Sequence, residues 1–160
     1  MRLWHEYLIP YLDNKRLLGQ HRECCALRGK GWGRKHSTVN YVFNHHIAKL
    51  IQYHTLVMNE CGWRGYKIDN LWYEFWYRGK NMTRFNKNEM NASIYIANMT
   101  VSGEECITEN DYGSTTKFIY PEHNPEYLME CLVNLQSKNA QLVNGMSLEE
   151  LILKLQIIGV

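Results

Sequence analysis

Apolar residues recur every three or four positions along four stretches of the chain, a spacing that is typical of amphipathic helices. With their capping residues, these stripes predict helices from about Lys15 to Leu27, from Asn44 or a neighbour to about Cys61, from Pro125 to about Lys138, and over 147–158. Asn124 before a proline is a typical helix start, and Ser147 with Glu150 forms a capping box. We therefore expect a mainly α protein, folded as a single compact helical domain over residues 1–160.

The helical period is lost between the second and third of these helices. Residues 81–116 are rich in Asn, Gly and Thr, which favours loops, and short strands are predicted near Ile94–Ala97 and Lys117–Tyr120. The aromatic stretch Trp72–Tyr77 is predicted to be core or interface rather than a surface on which bases stack. We therefore predict a loop-rich insertion with short strands inside the helical domain.

Charge is distributed unevenly, although the net charge is only +2. Residues 1–35 contain eight Lys or Arg and three acids, whereas the chain from residue 101 onward contains three lysines and nine acids. Such a split predicts one basic face and one acidic face. A basic face suits binding to a polyanion such as nucleic acid.

Two features predict an intracellular protein. We find no apolar run of transmembrane length and none after a basic start, which argues against a membrane span and a secretory signal. The five cysteines include no CxxC pair, so they indicate reduced thiols rather than a disulfide framework. We expect a cytoplasmic, nucleoid-associated protein that binds no membrane and has no obligate protein partner.

The candidate chemistry lies in the N-terminal segment. Met1 carries the α-amine, and α-amines as a class have a pKa of about 7.7–8.0, against about 10.4 for lysines, which makes such an amine a candidate nucleophile. Arg2 adjoins this amine and should prevent removal of Met1. Glu23 is a lone carboxylate in a basic helix, which we expect Arg22 and Arg28 to keep ionised. An amine can attack deoxyribose C1′ and form a Schiff base, while a carboxylate stabilises positive charge on the sugar and moves protons.

Cations around this pair are suited to DNA phosphates. Those expected to contact phosphate are Arg2, Arg22, Arg28, Lys30, Arg34 and Lys35. His21 is expected to lie beside the active site. Gly29, Gly31 and Gly33 either allow close approach of the backbone to phosphate or serve as a helix stop and turn.

Several short blocks follow one another in a distinctive order. They are Met1-Arg2, Arg22-Glu23, Arg34-Lys35-His36, Arg64-Gly65-Tyr66 and Tyr77-Arg78-Gly79. In this order they resemble the phage-type pyrimidine-dimer DNA glycosylase/AP lyase family. The block from Met1 to Glu6 and the block Leu18–Arg28 look still closer to the bacterial branch of that family. Residues 81–116 and 139–160 have no counterpart in it.

The resemblance implies a helical domain that binds duplex DNA containing a lesion or an abasic site. It implies cleavage of the glycosidic bond at a cyclobutane pyrimidine dimer, followed by β-elimination, with no metal and no cofactor. The catalytic residues would be Met1, through its amine, and Glu23. The DNA-binding residues would be Arg2, His21, Arg22, Arg28, Lys30, Arg34 and Lys35.

Two other functions stay open. One is a non-catalytic DNA-binding protein on the same scaffold, in which Glu23 is only a salt-bridge partner of neighbouring arginines. The other is a metal-dependent nuclease that uses the histidines. His46 and His54 nearly share a helix face, but we find no third ligand at a useful spacing, so no metal site is predicted.

Overall fold

The computed structural model describes residues 1–86 and 118–157, together with the backbone of two short strands between these ranges. The α-helices of this described part are α1 (Asn14–Arg28), α2 (Ile47–Trp63), α3 (Pro125–Ser137) and α4 (Leu148–Ile157). Short 3-10 helices lie at Glu6–Tyr11, Asn40–Asn44, Asn70–Tyr73 and Val143–Gly145. The prediction of a mainly α fold is confirmed.

Helix α1 begins and ends close to the predicted residues. The Oδ1 atom of Asp13 accepts a hydrogen bond of 2.9 Å from the amide of Arg16, which satisfies one of the N–H groups left without a partner at a helix start. The helix extends one residue beyond each end of the predicted range. Its buried residues, which include Leu17 and Leu27, belong to the hydrophobic core, and α1 packs against α2.

Local capping also sets the starts of α3 and α4. The side chain of Asn124 accepts a hydrogen bond of 2.9 Å from the amide of Tyr127. Ser147 and Glu150 each bind the other's backbone amide through their side chains, at 3.1 and 3.0 Å. These reciprocal bonds form the predicted capping box, so both helix starts are confirmed.

Helix α2 begins later than predicted. Asn44 ends a 3-10 helix, and the side chain of His46 caps α2 by accepting a hydrogen bond of 3.1 Å from the amide of Ala48. Gly62 does not stop the helix, which continues to Trp63. The chain then turns at Gly65, where φ is +85° and a side chain would be strained.

The short strands Cys106–Ile107 and Thr115–Thr116 pair antiparallel within the predicted insertion. The predicted strand at Lys117–Tyr120 is wrong, because residues 118–120 form a bend. The prediction at Ile94–Ala97 lies outside the described residues.

Side chains satisfy the backbone of this bend. The carboxylate of Glu6 accepts a hydrogen bond of 2.9 Å from the amide of Ile119, and the ammonium group of Lys49 donates one of 2.8 Å to its carbonyl. Ile119 and Tyr120 are buried in the core. Their apolar character therefore reflects packing against the helices rather than strand pairing.

The core joins the N-terminal segment to all four helices. Its fully buried members include Leu3, Leu8, Leu17, Leu50, Tyr53, Cys131 and Leu151. Leu12 pairs with Leu142 in an isolated antiparallel bridge, which ties the chain before α1 to the connection between α3 and α4. None of the described helices combines the length and the apolar character needed to cross a bilayer.

Candidate active site

The chain's N-terminus lies beside Glu23. The amide nitrogen of Arg2 donates a hydrogen bond of 3.3 Å to Oε2 of Glu23. The α-amine of Met1 lies one residue earlier, and therefore within about 3.6 Å of that amide nitrogen. The positive charge of the amine is one of the influences that lower the pKa of Glu23. The structure thus brings together the amine and the carboxylate that the sequence singled out.

Gln20 connects these two groups. Its Nε2 donates to Oε2 of Glu23 at 2.9 Å and to the carbonyl of Arg2 at 3.0 Å. Its Oε1 accepts from the amide of Trp4 at 2.7 Å and lies 3.0 Å from the hydroxyl oxygen of Tyr53. Both ends of this buried amide are therefore hydrogen-bonded. Gln20 fixes both the N-terminal segment and the Glu23 carboxylate to α1.

The pKa of Glu23 lies above its ordinary value. Burial is the largest cause, and it outweighs the Arg2 amide, the terminal amine, Gln20 and Arg22, all of which lower this pKa. The expectation that Arg22 and Arg28 together keep Glu23 ionised is therefore incomplete. Arg22 acts in that direction, but burial has the larger effect. A carboxyl group with a raised pKa is suited to transferring protons near neutral pH.

Backbone contacts hold the N-terminal segment in an extended path over α1 and α2. The hydroxyl of Thr38 donates to the carbonyl of Met1, and the hydroxyl of Tyr127 donates to the carbonyl of Leu3. The hydroxyl of Tyr53 donates to the carbonyl of Trp4 at 2.6 Å. Each of the first four residues thus has a backbone group bound from a neighbouring element.

His5 continues this anchoring. Its Nδ1 accepts a hydrogen bond of 3.1 Å from the amide of Tyr7, so its Nε2 carries the proton and donates to the carbonyl of His123 at 2.8 Å. Burial lowers the pKa of both His5 and His123 to about 3. Both rings are therefore neutral at physiological pH and have a structural role here.

The guanidinium of Arg2 contacts α3. Its Nη2 lies 2.9 Å from the carboxylate of Glu130, and its carbon lies within 6 Å of the ring centres of Trp4 and Tyr127. The side chain is partly buried, and its positive charge is shared with an exposed acid. In this arrangement Arg2 fixes the N-terminal segment to α3.

Arg28 does not lie on the surface. It is fully buried, and its Nη atoms donate to the carbonyls of Trp72, Glu74 and Tyr77 at 2.7 to 3.0 Å. Arg78 joins the same two segments from the other direction: its guanidinium donates to the carbonyls of Arg28 and Gly29. The prediction that Arg28 contacts DNA is wrong for this arrangement. Its charge holds the loop after α2 against the end of α1.

His21, Cys25 and His54 place potential metal ligand atoms within 4.8 Å of one another. The expectation that His54 lacks partners of this kind is wrong, because they come from α1 rather than from its own helix. Arg28 donates to Nδ1 of His54 at 3.1 Å, so the Nε2 proton of His54 points to Nδ1 of His21 at 2.8 Å. A ring that donates this proton has no lone pair to offer a cation. The arrangement is therefore a hydrogen-bonded chain from Arg28 to His21.

The neighbouring thiols are protonated. Burial raises the pKa of Cys25 to about 12 and raises the pKa of Cys24 as well. A thiol in this state is a poor nucleophile and a poor metal ligand. Cys24 is buried in the core and Cys25 is half-buried on α1, so both thiols contribute to packing there.

The other predicted cations lie on the surface. Arg22, Lys30, Arg34 and Lys35 are all exposed, the first on α1 and the others in the loop that follows it. Gly31 lies against the end of α1, where a Cβ atom would come within 2.7 Å of the carbonyl oxygen of Ala26. This contact favours the interpretation of the glycines as a helix stop and turn.

The aromatic stretch Trp72–Tyr77 packs against the end of α1. Trp72 is half-buried, its ring centre lies 4.9 Å from that of Tyr77, and the guanidinium carbon of Arg28 lies 5.3 Å from it. The contacts of these residues agree with the interpretation of the stretch as core, although Tyr73 and Leu71 remain exposed.

A surface cleft of about 490 Å³ adjoins Glu23. One side is the face of α1 that carries Arg16, Gly19, Gln20 and Glu23, and Trp4 also contributes to the lining. Residues 138–141, after α3, line the same cleft. The carboxylate of Glu23 is thus reachable from an open groove.

Sequence reasoning missed the residues that assemble this site. Gln20, Tyr53 and Tyr127 each bind backbone or carboxylate groups of the centre through long-range contacts. A signal was present for Gln20, because it lies three residues before Glu23 and shares its helix face. Nothing local marks the two tyrosines.

Comparison with known proteins agrees with the geometry. The model of the family described as pyrimidine dimer DNA glycosylase matches residues 1–74, somewhat less than half of the chain. The resemblance seen in the sequence is thereby confirmed, while the assignment to a bacterial branch stays a prediction. No curated protein and no solved structure matches the chain.

Proposed function

We propose that this protein is a DNA repair glycosylase with AP lyase activity that acts at pyrimidine dimers in duplex DNA. The observation that supports the proposal is the hydrogen bond of 3.3 Å between the Arg2 amide and Glu23, a residue that lines an open cleft, because the Met1 amine is only one residue away from that amide. The match of residues 1–74 to the pyrimidine dimer DNA glycosylase family supports the same function.

The amine is the nucleophile in this proposal. In its neutral form the nitrogen of Met1 attacks C1′ of the damaged nucleotide, and the bond from C1′ to the base breaks with its electron pair leaving on the base. The nitrogen bound to C1′ gives up one proton, its lone pair then breaks the bond from C1′ to the ring oxygen, and that oxygen takes up a proton, which leaves an open-chain sugar with a protonated imine. Glu23, as a carboxylate, stabilises the positive charge that develops on the sugar and accepts or returns protons during ring opening.

Strand cleavage follows from the imine. Its positive charge acidifies the C2′ proton, and Glu23 is the base within reach that removes it. The electron pair moves to form the C2′–C3′ double bond, and the 3′ phosphate leaves. Water then hydrolyses the imine and restores the amine. The proposed reaction requires two groups of the protein, the amine of Met1 and the carboxyl group of Glu23.

Exposed cations bind the DNA in this proposal. Arg22 lies on α1 next to Glu23, and Lys30, Arg34 and Lys35 lie in the loop that follows this helix. Phosphate contacts by these side chains would make binding strongly dependent on salt. His21 lies on the same helix. Its burial and the charges of Arg22 and Arg28 lower its pKa, so its ring is neutral and can donate one hydrogen bond.

Reductive trapping tests the proposal. The full chain with an authentic N-terminus should form a stable adduct with abasic or dimer-containing duplex in borohydride, because the reductant converts the imine to an amine. Glu23→Gln should lower strand cleavage by about 10²- to 10⁴-fold while DNA binding is retained. Glu126→Gln, which changes an exposed acid at the start of α3, is the matched control.

An uncleaved N-terminal extension provides the second arm. It removes the primary amine at Met1 and should abolish trapping without weakening binding. If the authentic chain forms no adduct and cuts neither substrate, the protein is a non-catalytic DNA-binding protein. If a chelator abolishes cleavage, a metal-dependent nuclease replaces the proposed mechanism.

A further inference from the structure

The segment between α3 and α4 reaches the reaction centre from outside the matched part of the chain. Residues 138–141 form one wall of the cleft that Glu23 also lines. The family match ends at residue 74, so this wall belongs to a part of the chain to which no role is assigned. Lys138, Asn139 and Gln141 are all exposed there.

The wall is fixed in place at both ends. Asn139 has a φ of +48°, and the amide of Ala140 donates to the carbonyl of Leu135 at 2.9 Å, which closes the C-terminal turn of α3. Leu142 is buried and bridges to Leu12, just before α1. The distance between this wall and α1 is therefore set by the fold.

The chemistry of the cleft fits a polyanion that also carries hydrogen-bonding groups. Four cationic side chains line it, against two carboxylates. Arg16 is bound to Asp13 at 3.0 Å, whereas Lys138 adds a positive charge from the segment after α3. Side-chain amides both donate and accept hydrogen bonds, as contacts to sugars and base edges require.

We infer that residues 138–141 bind the DNA strand next to the reacting nucleotide, with Lys138 contacting a phosphate and the amides of Asn139 and Gln141 contacting the adjacent nucleotide. This inference rests on the proposed function. Contacts from these residues and from the α1 residues that line the same cleft would hold the strand near the sugar under attack. Residues 138–141 would thereby contribute to positioning the substrate.

Binding and chemistry are measured separately to test this wall. Binding uses a duplex with a tetrahydrofuran abasic analogue, which has no aldehyde and forms no imine. Chemistry uses borohydride trapping on a true abasic site. Lys138→Ala, Gln141→Ala and Asn139→Gly are compared with Lys154→Ala, an exposed lysine on α4 that does not line this cleft. Glycine at 139 retains the left-handed backbone and removes only the amide.

Lys138→Ala should reduce the magnitude of the slope of log Kd against log salt by about 0.9, the change for one phosphate contact. Gln141→Ala and Asn139→Gly should each raise Kd about fivefold, with unchanged thermal unfolding midpoints. Lys154→Ala should leave Kd and salt slope unchanged. A slope for Lys138→Ala equal to that of Lys154→Ala would overturn the inference.

The two proposals can fail separately. If the wild-type chain forms the trapped adduct and the wall variants bind like wild type, the inference fails and the enzyme proposal stands. If the wall variants lose binding but the wild-type chain never forms an adduct, the wall binds DNA and the proposed reaction fails.

Discussion

The side-chain amide of Gln20 and the carboxylate of Glu23 lie 2.9 Å apart on one face of α1, and the same amide nitrogen binds the backbone carbonyl of Arg2. One side chain thus positions the carboxyl group and the chain end that bears the amine. Because a shift of about 1 Å in reacting groups can cost two orders of magnitude in rate, Gln20 is a positioning residue of the proposed centre.

Replacing Gln20 by Glu tests this role through pH dependence. The substitution preserves size but places a second carboxyl group against Glu23, and like charges disfavour ionisation. We expect the pKa of Glu23, already raised, to rise further. The acidic limb of the trapping rate against pH should then move to higher pH.

The control for this substitution is Gln136→Glu, which introduces the same charge on the exposed face of α3. Its pH profile should match that of the wild-type chain. An acidic limb that stays in place in the Gln20→Glu chain, with the rate scaled down evenly, would mean that Gln20 affects only folding.

Arg22 and Arg28 should separate binding from stability. Arg28→Met removes the donors that satisfy three backbone carbonyls of residues 72–77, so the free energy of unfolding should fall by about 3 kcal/mol. Arg22→Ala changes an exposed side chain and should alter stability by less than about 0.5 kcal/mol, while weakening DNA binding. Chemical denaturation and salt-dependent binding of both variants provide the comparison.

The reverse pattern would contradict this assignment. If Arg28→Met lost DNA affinity at full stability, the guanidinium would have to reach the DNA after all. Arg28→Lys adds a stricter test, because a lysine keeps the charge but cannot fork between several carbonyls. It should be destabilised in the same direction as Arg28→Met.

Local signals explain what the sequence could predict. The starts of α1, α3 and α4 depend on caps that act within three residues, such as Asp13 with Arg16 and Asn124 with Tyr127. Met1 and Glu23 were predicted as the reacting pair because an amine and a lone acid among cations are chemically distinctive and match the order of the family's motifs, and their roles stay predictions. These predictions needed no knowledge of the fold.

Long-range contacts explain what it could not. Arg28 was assigned to the DNA because the family resemblance implies a DNA-contacting arginine after Glu23, and only the loop at residues 72–77 shows why it is buried. Burial also decides the direction of the Glu23 pKa, which neighbouring arginines alone would have lowered. The bridge between Leu12 and Leu142 holds the wall at residues 138–141 close to the start of α1, and no local pattern reveals this pairing.

The neutral pair His5 and His123 should make the fold sensitive to acid. Burial lowers both pKa values to about 3, below the ordinary 6.5, so the unfolded chain binds more protons than the folded chain between these limits. Stability from these groups is present above pH 6.5 and is lost as the pH falls towards 3. Each group contributes a slope of up to about 1.4 kcal/mol per pH unit.

His5→Gln checks the size of this slope. The amide can still accept from the amide of Tyr7 and donate to His123, but it does not titrate. The unfolding free energy should therefore fall less steeply between pH 6.5 and 3. Burial raises the pKa of Glu6 to about 7, so this carboxyl group makes stability fall as the pH rises. Its effect on the slope is the same in the wild-type and His5→Gln chains. His36→Gln, which makes the same change at an exposed position, is the matched control.

Substitutions of Gly19 should change the stability of the fold and the activity independently of each other. It lies within α1 and lines the cleft beside Glu23, and a Cβ atom there would meet only Nη2 of Arg22, at 3.9 Å. Gly19→Ala should stabilise the helix by about 1 kcal/mol, since glycine is a poor helix former. Gly19→Leu should retain most of that gain while its side chain occupies the cleft.

The expected result is a raised unfolding midpoint for both variants, with trapping reduced about tenfold or more in Gly19→Leu and little changed in Gly19→Ala. Gly62→Ala is the matched control, because Gly62 is also helical, has open space around its Cβ position and does not line the cleft. It should gain stability at unchanged activity. Full activity in a stable Gly19→Leu chain would mean that the substrate does not enter this cleft, and the reacting sugar would then have to reach Glu23 from the side of Thr38.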